Sequence, residues 1–166
     1  MKYLSITFLL LAFVFTSCDL TVKKNGDTKS TAKIRNGIQL KSEGINVEQA
    51  FLIDEKGALI PEGNKINVNQ KVRIHLIISG WSEKEGKVFL EASEKAETSD
   101  GDIMMDEKDL FKEYKDGISP KDAGLLTLSF ELTRVDKIYD YFKVSFRIAD
   151  KNDNGKYVEG NYKLYL

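Results

Sequence analysis

Six stretches of this 166-residue chain alternate apolar and polar residues with a period of two. Successive side chains of a β-strand point to opposite faces, so the pattern marks strands with one face buried and the other in water. Val72, Ile74, Leu76 and Ile78 alternate with Lys71, Arg73, His75 and Ser79. Leu126, Leu128, Phe130 and Leu132 alternate with Thr127, Ser129, Glu131 and Thr133. Phe142, Val144, Phe146 and Ile148 do the same against Tyr141, Lys143, Ser145 and Arg147. Shorter runs surround Ile34, Ile38 and Leu40, then Val88, Leu90 and Ala92, then Tyr162, Leu164 and Leu166. Short strands are also expected over residues 50–53 and 65–69. Turn chemistry separates the runs at Lys56-Gly57, Gly63-Asn64, Glu85-Gly86, Asp100-Gly101 and Asn154-Gly155.

A one-sided strand must bury its apolar face against a second layer, and antiparallel sheets packed face to face are the common solution. The expected fold is therefore all-β: a single antiparallel β-sandwich, immunoglobulin-like, of seven to eight strands. An up-and-down barrel is the alternative. No amphipathic run of helical length competes, although residues 106–114 have room for one or two helical turns. Residues 33–166 are expected to form one domain, with a radius of gyration of about 14 Å. The last run ends at Leu166, so the C-terminal strand is expected inside a sheet.

The first 17 residues read differently. Lys2 supplies a positive end, residues 6–15 an apolar middle, and Thr16 and Ser17 small residues before Cys18, the only cysteine. A spanning helix needs about 20 apolar residues, and this run has about half that. With Phe15-Thr16-Ser17-Cys18 at its end, the segment resembles the signal peptide and lipobox of bacterial lipoproteins, with Phe15 where Leu is usual. The resemblance implies cleavage before Cys18, a covalent lipid on its thiol, and attachment to a membrane of the bacterial cell envelope, with the outer membrane the expected location. Several acyl chains at about 0.8 kcal/mol per buried methylene make such attachment stable. Residues 18–32 follow as a polar, lipidated tether, which spans at most about 50 Å extended. In general outline the whole chain resembles small lipoproteins carrying one immunoglobulin-like domain, a likeness that brings no functional motif.

Removing residues 1–17 changes the net charge from −1 to −2, with both signs interspersed and no basic stripe. That argues against a nucleic-acid partner. No cysteine remains after Cys18, so the fold holds by packing without a disulfide framework. His75, the single histidine, lies at an outward strand position with no nucleophile motif beside it, and reads as an ordinary exposed residue.

Three places carry candidate chemistry. Asp150, Asn152 and Asn154 alternate ahead of Gly155, which matches the opening of an EF-hand calcium loop. Position twelve of that loop is Asn161 and the flanks are strands, so a polar hairpin turn ending in Asn-Gly is the favoured reading and calcium the minor one. Asp100, Asp102 and Asp106 form an acidic cluster near Met104-Met105, read as solvated loop carboxylates or as ligand contacts. Trp81 follows Ser79-Gly80 at a strand end, where it either plugs the core or offers a flat face to a ligand.

No firm catalytic or metal set emerges, and no cofactor is expected beyond the lipid on Cys18 and that minor calcium reading. The expected function is a non-catalytic binding or scaffolding module held at a membrane by its lipid, recognising a polysaccharide or an envelope protein through loops. An accessory structural subunit of an envelope complex and an envelope hydrolase are the alternatives.

Overall fold

The computed structural model describes residues 32–166, which form nine strands and one helical turn in two sheets. The segment expected to be a signal peptide, Cys18 and the expected tether up to residue 31 lie outside the described residues. The strands are β1 (Lys33–Ile34), β2 (Gln39–Glu43), β3 (Asn46–Asp54), β4 (Lys71–Ser79), β5 (Leu90–Thr98), β6 (Ile103–Glu107), β7 (Leu125–Glu131), β8 (Phe142–Asp150) and β9 (Asp153–Leu164). One sheet has the order β1-β3-β4-β7 and the other β2-β9-β8-β5-β6, and they pack as a β-sandwich. Every pairing is antiparallel except β1 with β3, which is parallel.

The alternating residues fill the interior. Ile74 and Leu76 of β4 and Phe142, Val144 and Ile148 of β8 have no exposed surface. Leu126, Leu128 and Phe130 of β7 meet them from the same layer as β4. The C-terminal strand β9 lies between β2 and β8, as expected, and ends at Leu164, after which Tyr165 makes an isolated bridge to Lys65.

Four details differ from the sequence expectation. The run around Ile34, Ile38 and Leu40 is two strands in different sheets, because Asn36 and Gly37 adopt left-handed φ values of 57° and 59° and turn the chain across the sandwich. Residues 65–69 are a single bridge followed by a turn, with Asn69 at φ 65°. Residues 106–114 contain no helix: β6 runs through Glu107 and turns follow. The helical turn lies instead at α1 (Pro120–Ala123), where Ser119 Oγ caps the N–H of Asp122 and Pro120 opens the turn. Nine strands replace the expected seven or eight because β1 separates from β2 and because β6 was hidden in the acidic segment.

The interior is not wholly apolar. Asn36 and Asn64 are buried and interlocked: Asn36 Nδ2 donates to Asn64 Oδ1 (2.9 Å) and to Ile60 O (3.0 Å), and Asn36 Oδ1 accepts from Leu52 N–H (3.0 Å). Asn64 Nδ2 donates to Asn36 O and Lys163 O, each at 2.8 Å, joining the two layers. Glu94 and Tyr162 contrast with that pair: Glu94 Oε1 and the Tyr162 hydroxyl are buried without a hydrogen-bond partner among the described residues. Burial pushes the Glu94 carboxyl up to about 7, and burial followed by the nearby Glu94 charge raises the Tyr162 phenol well above its ordinary range.

Candidate functional site

The strand order separates the residues singled out from the sequence. β4 ends, β8 ends and β9 begins at one end of the sandwich, and there Trp81 and Asp150 meet through Ser82. Trp81 is half-buried against the core and its Nε1–H donates to Ala123 O at 3.0 Å, which spends the indole on the fold. Asp150 is buried; its Oδ2 accepts from Ser82 N–H (2.6 Å) and its Oδ1 from Asn152 N–H (2.8 Å). Both oxygens are thus committed to main-chain donors, while Asn152 and Asn154 are exposed.

The expected hairpin turn ending in Asn154-Gly155 is corrected. Asp150 pairs with Asp153 across a two-residue turn at Lys151-Asn152, and Asn154-Gly155 belongs to β9. The register then jumps so that Ala149 faces Tyr157, and the irregularity absorbs Asn154, Gly155 and Lys156. Residues 150 and 153 face each other across a ladder, so the alternate oxygens do not wrap round one centre. Among the described residues no three His, Cys, Asp or Glu side chains converge.

Asp100 and Asp102 lie at the opposite end, in the β5–β6 turn, where Asp100 Oδ2 pairs with Lys137 Nζ at 2.7 Å. That pairing is the leading cause of a lowered Asp100 pKa. Asp106 is a β6 residue opposite Lys95, with Lys108 Nζ 2.7 Å from its carboxylate. The loop site expected from the sequence is therefore divided between two ends and one face.

Asp106 leads to a different place. The outer face of the five-stranded sheet carries an open depression of about 630 Å³. Register brings its side chains together in rows: Lys95 beside Ser145 and Asn161, and Ser93 beside Arg147 and Glu159, with β2 adding Gln39 and Lys41. Glu159 is the electrostatic centre, 3.4 Å from Lys41 Nζ and 3.1 Å from Arg147 Nη1. The Arg147 guanidinium stacks 4.1 Å from the centre of the Tyr157 ring. The Tyr157 hydroxyl, then the Glu159 carboxylate, hold the Lys41 ammonium above its ordinary pKa.

Lys41 and Arg147 share the single Glu159 carboxylate, and with Lys95 and Lys108 beside Asp106 the lining carries more positive than negative charge. The side chains of Gln39, Ser93, Ser145 and Asn161 make no hydrogen bond to another described residue. Two amides and two hydroxyls are left to donate and accept beside flat cationic and aromatic surfaces. Such a surface suits a polar, hydroxyl-rich ligand by surface recognition. Period two places Arg147 at an outward strand position, but nothing in a linear pattern states that β2, β9, β8 and β5 are neighbours.

His75 lies on the outer face of the other sheet, its ring 5.6 Å from that of Phe51. Burial, and then the Arg73 charge, lower its pKa below the ordinary histidine value.

The molecule is thus a two-layer β-sandwich with a polar outer face on its five-stranded sheet. No family model and no curated protein matches the chain. Among solved structures, the crystal structure of the C-terminal domain of wzt resembles it with a TM-score of 0.50 and 16% identity, over 81% of this chain and 80% of that one. That likeness is one of fold.

Proposed function

We propose that this chain is an envelope lipoprotein, anchored through a lipid on Cys18, that presents a non-catalytic β-sandwich for binding polysaccharide at the outer face of its five-stranded sheet. The observation that carries the reading is the juxtaposition of uncommitted Gln39, Ser93, Ser145 and Asn161 side chains around the Lys41–Glu159–Arg147 cluster. Sugar hydroxyls exchange hydrogen bonds with amides, hydroxyls and charged groups, and guanidinium or phenol faces pack on the apolar side of a sugar ring. The fold shared with the C-terminal domain of wzt is compatible with a binding module. The tether of residues 18–32 would keep that face clear of the bilayer.

Calorimetric titration with polysaccharide prepared from the producing cell's envelope tests the reading. Saturable binding that weakens at least tenfold in Asn161→Ala and Arg147→Ala supports it; heat effects identical in parent and variants would remove the face from the account. A scaffolding role in an envelope complex is the second reading, favoured by Ile77 and half-exposed Leu125 side by side on the outer face of the four-stranded sheet, with Phe51 in the next row beside His75.

A further inference from the structure

β7 is an edge strand, bonded to β4 on one side, and among the described residues no hydrogen bond reaches it on the other. The donation from Ile78 N–H to Gly124 O (3.0 Å), in register with the β4–β7 ladder, fixes its alternation. Leu126, Leu128 and Phe130 exchange main-chain bonds with β4, so Leu125, Thr127, Ser129 and Glu131 turn theirs outward. Exposed edges are ordinarily blunted by charge, proline, bulges or shortness. β1 has two residues, β2 carries Lys41 and Glu43, and β6 ends in Asp106-Glu107. β7 has seven residues in unbroken register, no proline, and one charge, Glu131, at its end.

Its sequence is also self-complementary. Laid antiparallel on itself about Leu128, the strand pairs Thr127 with Ser129 and Leu125 with Glu131, so no like charges oppose each other. The outward-bonding residues face one another in this register, which completes the ladder over the whole strand.

We propose that β7 pairs with β7 of a second copy of this chain, about a two-fold axis at Leu128, joining two four-stranded sheets into one. The arrangement is isologous and closed, so it ends at a dimer. It leaves the polar face of the five-stranded sheet free on each copy.

Cross-linking in the full chain carrying Cys18→Ala, which has no other thiol, tests the register. Facing Thr127 and Ser129 positions have Cα atoms about 5.5 Å apart, within disulfide reach, whereas two copies of position 127 are about 8–9 Å apart and beyond it. Thr127→Cys with Ser129→Cys is expected to give a covalent dimer on mild oxidation, and either single variant is not. By sedimentation in mild detergent the Cys18→Ala parent is expected at twice the monomer mass. Ser129→Pro, which removes an outward N–H and leaves the β4 ladder intact, is expected at the monomer mass with its β spectrum retained. A monomeric parent, equal cross-linking by single and double variants, or a dimer that survives Ser129→Pro would each overturn the proposal.

Discussion

Glu94 is the residue whose environment most conflicts with its chemistry. Its carboxyl is buried with one oxygen unpaired, and its pKa rises from the ordinary 4.5 to about 7. The folded state therefore binds a proton that the unfolded chain releases, so the contribution of Glu94 to stability is full below its ordinary 4.5 and is lost as pH rises through about 7. The full loss is on the order of 3 kcal/mol. His75 acts in the opposite sense, because its lowered pKa makes folding more favourable as pH rises through the ordinary histidine range. Glu94→Gln separates the two. Melting temperatures of the parent are expected to fall between pH 5 and pH 8, and those of Glu94→Gln to stay level or rise slightly. The same slope in both would show that the side chain is hydrated in solution. Gly160 marks an opposite constraint, lack of room: a Cβ there would stand 2.5 Å from Gln39 O and 2.9 Å from the Phe146 ring. Gly160→Ala is expected to destabilise by about 1–3 kcal/mol in chemical denaturation; an unchanged midpoint would mean that β2 moves away freely.

At the scale of elements, legibility depended on what a strand buries. β4, β7 and β8 bury Val, Leu, Ile and Phe at every second position, and period two exposed them in the sequence. The second half of β5 buries Glu94, Ala96 and Thr98, so its alternation vanishes although its pairing with β8 is regular. β6, with exposed Ile103 and Met104, was hidden for a similar reason: edge position decouples its side chains from the core. The division of β1 from β2 rests on Asn36, whose side chain replaces main-chain partners across the layers, a role no periodicity encodes. Asn36→Ala, losing bonds to Ile60, Asn64 and Leu52 at a left-handed position, is expected to cost about 2–4 kcal/mol. A midpoint shift below half a kcal/mol would mean that water takes over those bonds. The polar face was equally unreadable, since its residues come from five strands whose neighbourhood is a property of topology alone.

The whole molecule joins three proposals: a lipid at Cys18, a free polar face, and a pairing edge at β7. The anchor is tested by Cys18→Ala, which is expected to leave the precursor unlipidated; unchanged detergent partitioning would sink it. Two-fold pairing would present two polar faces together, so divalent binding would gain avidity from a repeating polymer. The binding proposed for this chain rests on the five-stranded face. Chemical-shift mapping of the isotope-labelled chain during titration with envelope polysaccharide tests it most directly. Binding there predicts saturating shifts at Lys41, Ser145, Arg147 and Asn161, absent in Arg147→Ala. Shifts confined to the Trp81–Asp150 end, or to Phe51 and His75 on the opposite sheet, would contradict it.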